Sequence, residues 1–240
     1  MIIILTTLYN AEEYIGKCIK SIKSQNNKDY RCFILNDLST DISSEIAEEL
    51  IRGDERFTLI NNTRKMYQPG NYDQIIRGDY NVQDEDLIVE LDGDDWFPDN
   101  DVLDRIFKAY SDGNTWITNG SFIYSDGRQG FSRKQDNFDN LREAGFTASH
   151  LRTWKAFLWR NIKQSDLMDE NGEYWNVAGD LSFMFPMLEM SGEEHYKFLT
   201  DVNYVYNEQN PINDHKVNVG KVRGIESVLK KYPKYNKLVK

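Results

Sequence analysis

Asp92-Gly93-Asp94-Asp95 puts three carboxylates within four residues, directly after the apolar run Leu87-Ile88-Val89-Glu90-Leu91. Carboxylates are hard oxygen donors, the ligand type that suits Mg²⁺ or Mn²⁺. An apolar strand ending in such a turn delivers them to the carboxyl edge of a sheet, where open α/β folds bind their ligands. The chemistry this permits is a divalent ion held against a phosphorylated substrate. The same residues also suit a plain solvated turn, since Asp-Gly is an ordinary turn former. What decides between the two is whether other segments converge on them.

Two segments do. Ile2–Thr7 reads as a buried strand, followed by Leu8-Tyr9-Asn10 and a helical pattern with Ile15, Cys18, Ile19 and Ile22 on one face. Cys32–Leu35 reads as a second strand, and the polar turn Asn36–Asp41 follows it, with Asp41 placed to cap a helix starting near Ser43. A further strand, Phe57–Ile60, leads into a loop from Asn61 to Gly70 that contains Arg64 and Lys65. The next helix is expected to begin around Asn71 and to turn Ile75 and Ile76 inward. Strands that each end in a polar or acidic loop describe one crevice.

In order and spacing these elements resemble the family 2 glycosyltransferases with the GT-A fold. Tyr9-Asn10-Ala11-Glu12 matches the family's Tyr-Asn-x-Glu, and Asn36-Asp37-Leu38-Ser39-Thr40-Asp41 matches Asp-Asp-x-Ser-x-Asp with Asn36 in place of the first Asp. Asp92-Gly93-Asp94-Asp95 matches Asp-x-Asp-Asp in full. The agreement covers roughly the first hundred residues. The fold implied is α/β: a twisted, mostly parallel sheet flanked by helices.

The resemblance also implies roles. Asp94 binds the metal, Mn²⁺ or Mg²⁺, with Asp95 beside it and a late histidine, His215, as a further ligand. Asp92 and Gly93 face the nucleotide sugar. Asp37 accepts a hydrogen bond from the base, typically uracil, and Thr7 and Tyr9 line the same pocket. Arg64 is the candidate contact to the donor's phosphates or base. On the acceptor side, family members carry an Asp at a helix start as the base, matched by Asp180 in Asn176–Leu181. The family pair there is usually Glu-Asp, so Gly179 is a departure, and an N-cap role for Asp180 is the structural alternative. His150 and Arg152, in Ser149–Lys155, are candidates for contact with a phosphate or the acceptor. Trp175 is a candidate stacking platform for a sugar ring. Packing or surface hydrogen bonding would account equally for these last three.

Composition sets the frame. At 240 residues with no internal repeat or low-complexity linker, the chain reads as one domain. Residues 1–100 form its nucleotide half and residues 101–240 its acceptor half. The net charge of −10 lies in the first half, where 20 acidic side chains face 10 basic ones. Lys216, Lys221, Arg223, Lys230, Lys231, Lys234, Lys237 and Lys240 crowd the C-terminal end. Such a segment suits a solvated helix face, an anionic acceptor, a membrane surface or a nucleic acid, and the overall acidity disfavours the last. Cys18 and Cys32 read as reduced core residues. No apolar stretch reaches membrane-spanning length, and a strand starting at residue 2 leaves no room for a signal peptide, so a soluble, cytoplasmic protein is expected.

The function expected is inverting, metal-dependent transfer of a sugar from a nucleotide donor, a UDP-sugar by resemblance, to a hydroxyl acceptor such as a glycan. The alternatives are a nucleotidyltransferase, a non-catalytic nucleotide-sugar-binding module and, as acceptor, a modified nucleic-acid base. The lack of a Gly-rich basic loop near the first strand counts against the first alternative. The presence of Asp92, Asp94, Asp95 and Asp180 counts against the second.

Overall fold

The computed structural model describes residues 1–144, 146–213, 216 and 218–239. Its sheet has seven strands: β1 (Ile2–Leu8), β2 (Tyr30–Asn36), β3 (Phe57–Asn61), β4 (Leu87–Glu90), β5 (Ile117–Tyr124), β6 (Thr153–Lys155) and β7 (Tyr196–Tyr206), in the order β3-β2-β1-β4-β6-β5-β7. The pairs β3-β2, β2-β1, β1-β4 and β5-β7 are parallel, and β6 runs antiparallel to both β4 and β5. This is the mostly parallel α/β architecture expected.

Helices α1 (Ile15–Lys23), α2 (Ser43–Ile51) and α4 (Val102–Tyr110) pack on one face of the sheet, against Ile2, Ile4, Cys32, Ile34 and Val89. Helices α3 (Tyr67–Ile76), α6 (Ala156–Arg160) and α7 (Gly179–Ser191) pack on the other, against Ile3, Leu5, Phe33, Leu35 and Ile88. Strands buried on both faces need side chains that are apolar on both, which is why β1, β2 and β4 read as mostly apolar runs. A short α5 (Leu141–Ala144) and a late α8 (Val219–Leu229) complete the helices that matter here. No helix among the described residues is long and apolar enough to cross a membrane.

Two elements differ from the expectation. Helix α3 starts at Tyr67, four residues ahead of Asn71, so Asn71 sits buried in its middle. Pro69 is tolerated because it falls in the first turn, where its missing N–H would have had no helical partner. Gly70 is there for space: a Cβ would lie 2.5 Å from the Tyr174 ring. The second difference is β6, three residues of antiparallel strand inside Ser149–Lys155, where no strand was expected.

The C-terminal segment folds back onto α7. Arg142 donates from Nε and Nη2 to the buried carboxylate of Glu189 and from Nη1 to the Leu229 carbonyl. Glu189 also accepts the Tyr235 amide, and the Leu238 amide donates to the Met190 carbonyl at 2.9 Å. Several lysines of this segment have partners within the protein: Lys230 pairs with Glu226, Lys237 with Glu194, and Lys234 donates to the carbonyls of Phe138 and Asp139.

Candidate functional site

β1 lies between β2 and β4, and the order of connection reverses at it, so the loops leaving the carboxyl ends of these strands splay apart and open a crevice there. A cleft of about 800 Å³ fills that position. It is lined by Thr7, Tyr9, Asp37, Asp92, Asp94 and Asp95 from the strand ends, and by His150, Arg152, Trp175 and Asp180 from the second half. Candidates up to 173 residues apart in sequence therefore face one space.

The loop after β1 and the loop after β2 hold each other. The Asn10 amide donates to Ser39 Oγ while Asn10 Oδ1 accepts the Thr40 amide; the Glu12 amide donates to Asp41 Oδ2 while Glu12 Oε2 accepts the Ile42 amide. Asp41 Oδ1 also accepts the Ser43 amide at the start of α2. Reciprocal pairs of this kind satisfy backbone donors that helix starts and turns leave free. This is the work of the Tyr-Asn-x-Glu element: it clamps one wall of the cleft.

Asp37 is buried and accepts from the amides of Met66 and Tyr67 and from Asn62 Nδ2. It thereby ties the loop before α3 to the end of β2. Lys65 donates to the Asp37 carbonyl at 2.6 Å and lies over the Tyr9 ring, 3.0 Å from its centre. Arg64, expected to reach the donor, is exposed and lies outside the cleft lining; Lys65 is the basic residue of that loop that lines it. Periodicity in a loop cannot tell which of two adjacent basic residues turns inward.

The acidic turn sits against β1. The Gly93 amide donates to the Thr7 carbonyl at 2.8 Å, and a Cβ on Gly93 would lie 2.8 Å from that same oxygen. Gly93→Ala should therefore cost about 1–3 kcal/mol of stability through overpacking, read by urea denaturation. An unchanged midpoint would show that the turn is free to move off β1. Thr7 Oγ1 donates to Asp92 Oδ1 at 2.9 Å, and Asn210 Nδ2 donates to Asp94 Oδ2 at 2.7 Å. Asp95, expected among the metal ligands, accepts from the Tyr204 hydroxyl on one oxygen and from the Asn207 amide at 2.6 Å on the other. Its observed work is to fasten the turn to the end of β7.

Burial raises the Asp92 carboxyl, with Glu90 adding to the effect. Burial and then the neighbouring Asp92 push Asp94 up to about 6. Burial likewise drives Asp95 well above the usual range, with Asp94 and Asp92 contributing. Carboxylates crowded this way are stabilised by a cation among them, so the donor set fits a divalent ion. Among the described residues, Glu90, Asp92 and His150 each bring a ligand atom within 4.8 Å of the others, and Asp94 lines the same cleft. His215 lies outside the described residues.

The opposite wall is built on an ion network. Arg152 is 4% exposed and donates to Glu90 on β4, to Asp180 Oδ2 at 2.7 Å and to the Ala148 carbonyl at 3.3 Å. Three of its five N–H donors are thus used by protein groups. His150 stacks on Tyr204 with ring centres 4.4 Å apart. Burial pushes its imidazole down to about 3, so it is neutral and its approach to Glu90 at 3.4 Å is no ion pair. Trp175 is buried, with its indole N–H donating to the Asp166 carbonyl and its side chain bordering the cleft. Asp180 is the second residue of α7, whose N-cap is Ala178, so it is not the N-cap. Gly179 has a steric reason: a Cβ there would lie 2.8 Å from the Pro69 ring. A glutamate at this position would collide with α3.

Glu90, Lys65, Asn210 and Tyr204 were not singled out from the sequence. Glu90 carried a signal, as a carboxylate inside an apolar strand that must find a buried partner. Asn210 and Tyr204 carried none.

The sequence model of the family described as "Glycosyl transferase family 2" matches residues 3–175. The protein described as "Putative glycosyltransferase EpsH" of Bacillus subtilis (strain 168) is 23% identical over 235 residues, which is 96% of this chain and 63% of that protein. Among solved structures, S. aureus TarS 1-349 in complex with UDP-GlcNAc superposes with a TM-score of 0.70 at 15% identity, covering 95% of this chain and 66% of that one. The mannosyltransferase PcManGT from Pyrobaculum calidifontis, in complex with GDP-Man and Mn²⁺, gives 0.60 at 15% identity, over 95% and 62%. At such identities the likeness is one of fold, here GT-A. The chain spans just under two thirds of the length of each of these proteins. With 173 consecutive residues matched to the family pattern, the chain belongs to glycosyl transferase family 2.

Proposed function

We propose that this chain transfers a sugar from a nucleoside diphosphate donor, a UDP-sugar, to a hydroxyl of a saccharide acceptor, with inversion and with Mn²⁺ or Mg²⁺ as cofactor. One observation carries the reading: Asp92 and Asp94 on one wall and Asp180 on the other border a single cleft. The bound UDP-GlcNAc of TarS and the GDP-Man and Mn²⁺ of PcManGT support the class of donor and cofactor.

Residues 1–100 handle the donor. Thr7, Tyr9, Asp37 and Lys65 receive the nucleoside, and Asp92 and Asp94 hold the metal that stabilises the departing diphosphate when it is bound. Residues 101–240 receive the acceptor, with Trp175 as its platform. Asp180 takes the proton of the acceptor hydroxyl as that oxygen forms its bond to the anomeric carbon. The carbon–oxygen bond to the diphosphate breaks on the opposite face, and its electron pair leaves with the nucleoside diphosphate.

A panel of nucleotide sugars with Mn²⁺ or Mg²⁺, scored for nucleoside diphosphate release and repeated with EDTA, tests this. Release that EDTA abolishes is expected. Release of pyrophosphate, or release indifferent to EDTA, would overturn the reaction class or the metal role respectively.

The raised Asp94 carboxyl adds a pH dependence. Below about 6 the ion must displace a proton, so Mn²⁺ affinity should fall about tenfold per pH unit under that value and level off above it. Between about pH 4 and 6 the metal-free fold holds a proton at Asp94 that the unfolded chain has released. The group therefore favours the fold on the acid side and loses that contribution as pH rises through 6. Calorimetry with Mn²⁺ at three pH values checks the first statement; a flat affinity would remove Asp94 from the ligands.

A further inference from the structure

We propose that Asn71 reads the base of the donor nucleotide, its side-chain amide donating to uracil O4 and so selecting uracil over cytosine; this rests on the reading of the cleft as a nucleotide-donor site. Asn71 lies in the middle of α3, is 1% exposed and lines the cleft. Its Oδ1 accepts from Asn62 Nδ2 at 2.7 Å and from Gln74 Nε2 at 3.2 Å. Its Nδ2 is buried and has no partner among the described residues.

The neighbours fix which way this amide turns. A carboxylate can only accept, so Asp37 Oδ1, at 2.9 Å, holds the NH2 of Asn62 toward itself, and that same NH2 faces Asn71. Exchanging the two ends of the Asn71 amide would set its NH2 against the NH2 groups of both Asn62 and Gln74. The oxygen therefore belongs on their side and the NH2 on the other. Neither Asn62 nor Gln74 lines the cleft, whereas Asn71 does, so the arm turned away from them is the one on the cleft side. A buried N–H without a partner is costly, and native proteins leave few of them. A ligand atom that accepts from Nδ2 removes that cost.

The same hydrogen bonds set this donor beside an acceptor, since Asp37 and Asn71 share the one Asn62 NH2. Asp37 also lines the cleft. It accepts N–H groups from Asn62, Met66 and Tyr67, and a carboxylate has about four lone-pair sites, so one direction remains open. Lys65 Nζ, 3.7 Å from Asp37 Oδ2, is too far to fill it with a hydrogen bond. Uracil offers an N3–H next to the O4 carbonyl, which an acceptor and a donor side by side, Asp37 and Asn71, match. Cytosine carries the reverse, an unprotonated N3 and an amino group at C4, and would set lone pair against carboxylate and N–H against N–H. Asn71 is in this way a specificity-determining residue of the donor half.

The test is calorimetry of the whole chain with UDP, CDP and 2′-deoxy-UDP at saturating Mn²⁺, on wild type, Asn71→Asp and Asn71→Ala. The aspartate keeps an oxygen for Asn62 and Gln74 and replaces only the NH2; the alanine serves should the added charge unsettle the fold, which thermal melts read. The ratio of UDP to CDP affinity cancels losses common to both, since the two carry the same ribose and diphosphate. It should favour UDP by about tenfold or more in wild type and fall by about tenfold or more in either variant. A ratio near one in wild type, or one that the variants leave unchanged, overturns the inference and leaves the donor site standing. If 2′-deoxy-UDP binds more weakly than UDP to wild type but equally well to Asn71→Ala, the amide serves the ribose and the base assignment falls. Wild type that binds none of the three nucleotides would overturn the donor reading and this inference together.

Discussion

Asp94→Asn should lower kcat/KM for the donor by about three orders of magnitude while leaving the fold at least as stable. Several kcal/mol of leaving-group stabilisation are at stake, at about 1.4 kcal/mol per decade of rate. The side chain keeps its shape, so Asn210 can still pair with it, but it no longer offers an anionic oxygen. In the metal-free protein the exchange also removes a carboxyl that burial and Asp92 have pushed up to about 6. The melting temperature without metal should therefore hold or rise, and the gain on adding Mn²⁺ should disappear. Nucleoside diphosphate release, Mn²⁺ calorimetry and thermal melts together read this. Turnover within a few-fold of wild type would remove Asp94 from the chemistry.

Asp180→Asn separates binding from transfer. A positioned general base contributes about 10²–10⁴-fold, and the amide that replaces it keeps an oxygen to accept from Arg152 but cannot take a proton. Transfer should fall by that factor while UDP–Mn²⁺ affinity stays within about twofold, because Asp92, Asp94, Asp37 and Thr7 are untouched. A variant that loses donor affinity as well would make Asp180 part of the donor wall. A variant that transfers normally would leave it as a partner of Arg152 only.

The residues legible in the sequence were those whose neighbours are local. Ile15, Cys18, Ile19 and Ile22 are all fully buried, as helical spacing predicts. β1, β2 and β4 were readable because strands covered on both faces are mostly apolar along their length. β6 was not, since its three residues owe their conformation to Leu87–Val89 and Ile117–Thr118, up to 68 residues away in the chain. The start of α3 was misplaced because Pro69-Gly70 has the composition of a turn, and only the Tyr174 ring above Gly70 explains it. The same limit applied at Gly179, where the resemblance implied a glutamate and the Pro69 ring excludes one. Glu90 was visible as a charge in an apolar run, but its partner, Arg152, lies 62 residues on.

The return of the C-terminal segment onto α7 bears on how the protein opens. Glu189, on the buried side of the helix that carries Asp180, is shared by Arg142 and the Tyr235 amide, and Tyr235 Oη donates to Asp166 at 2.7 Å. Lifting the tail strips one partner from Glu189 and frees the Leu229 carbonyl held by Arg142 only if α8 moves too. Local unfolding proceeds in units whose members lose their partners together. Shared partners tie the tail, α5 and α7 together, so they are expected to open as one such unit, apart from the loops after β1 and β2 that Asn10, Glu12 and Asp41 fasten.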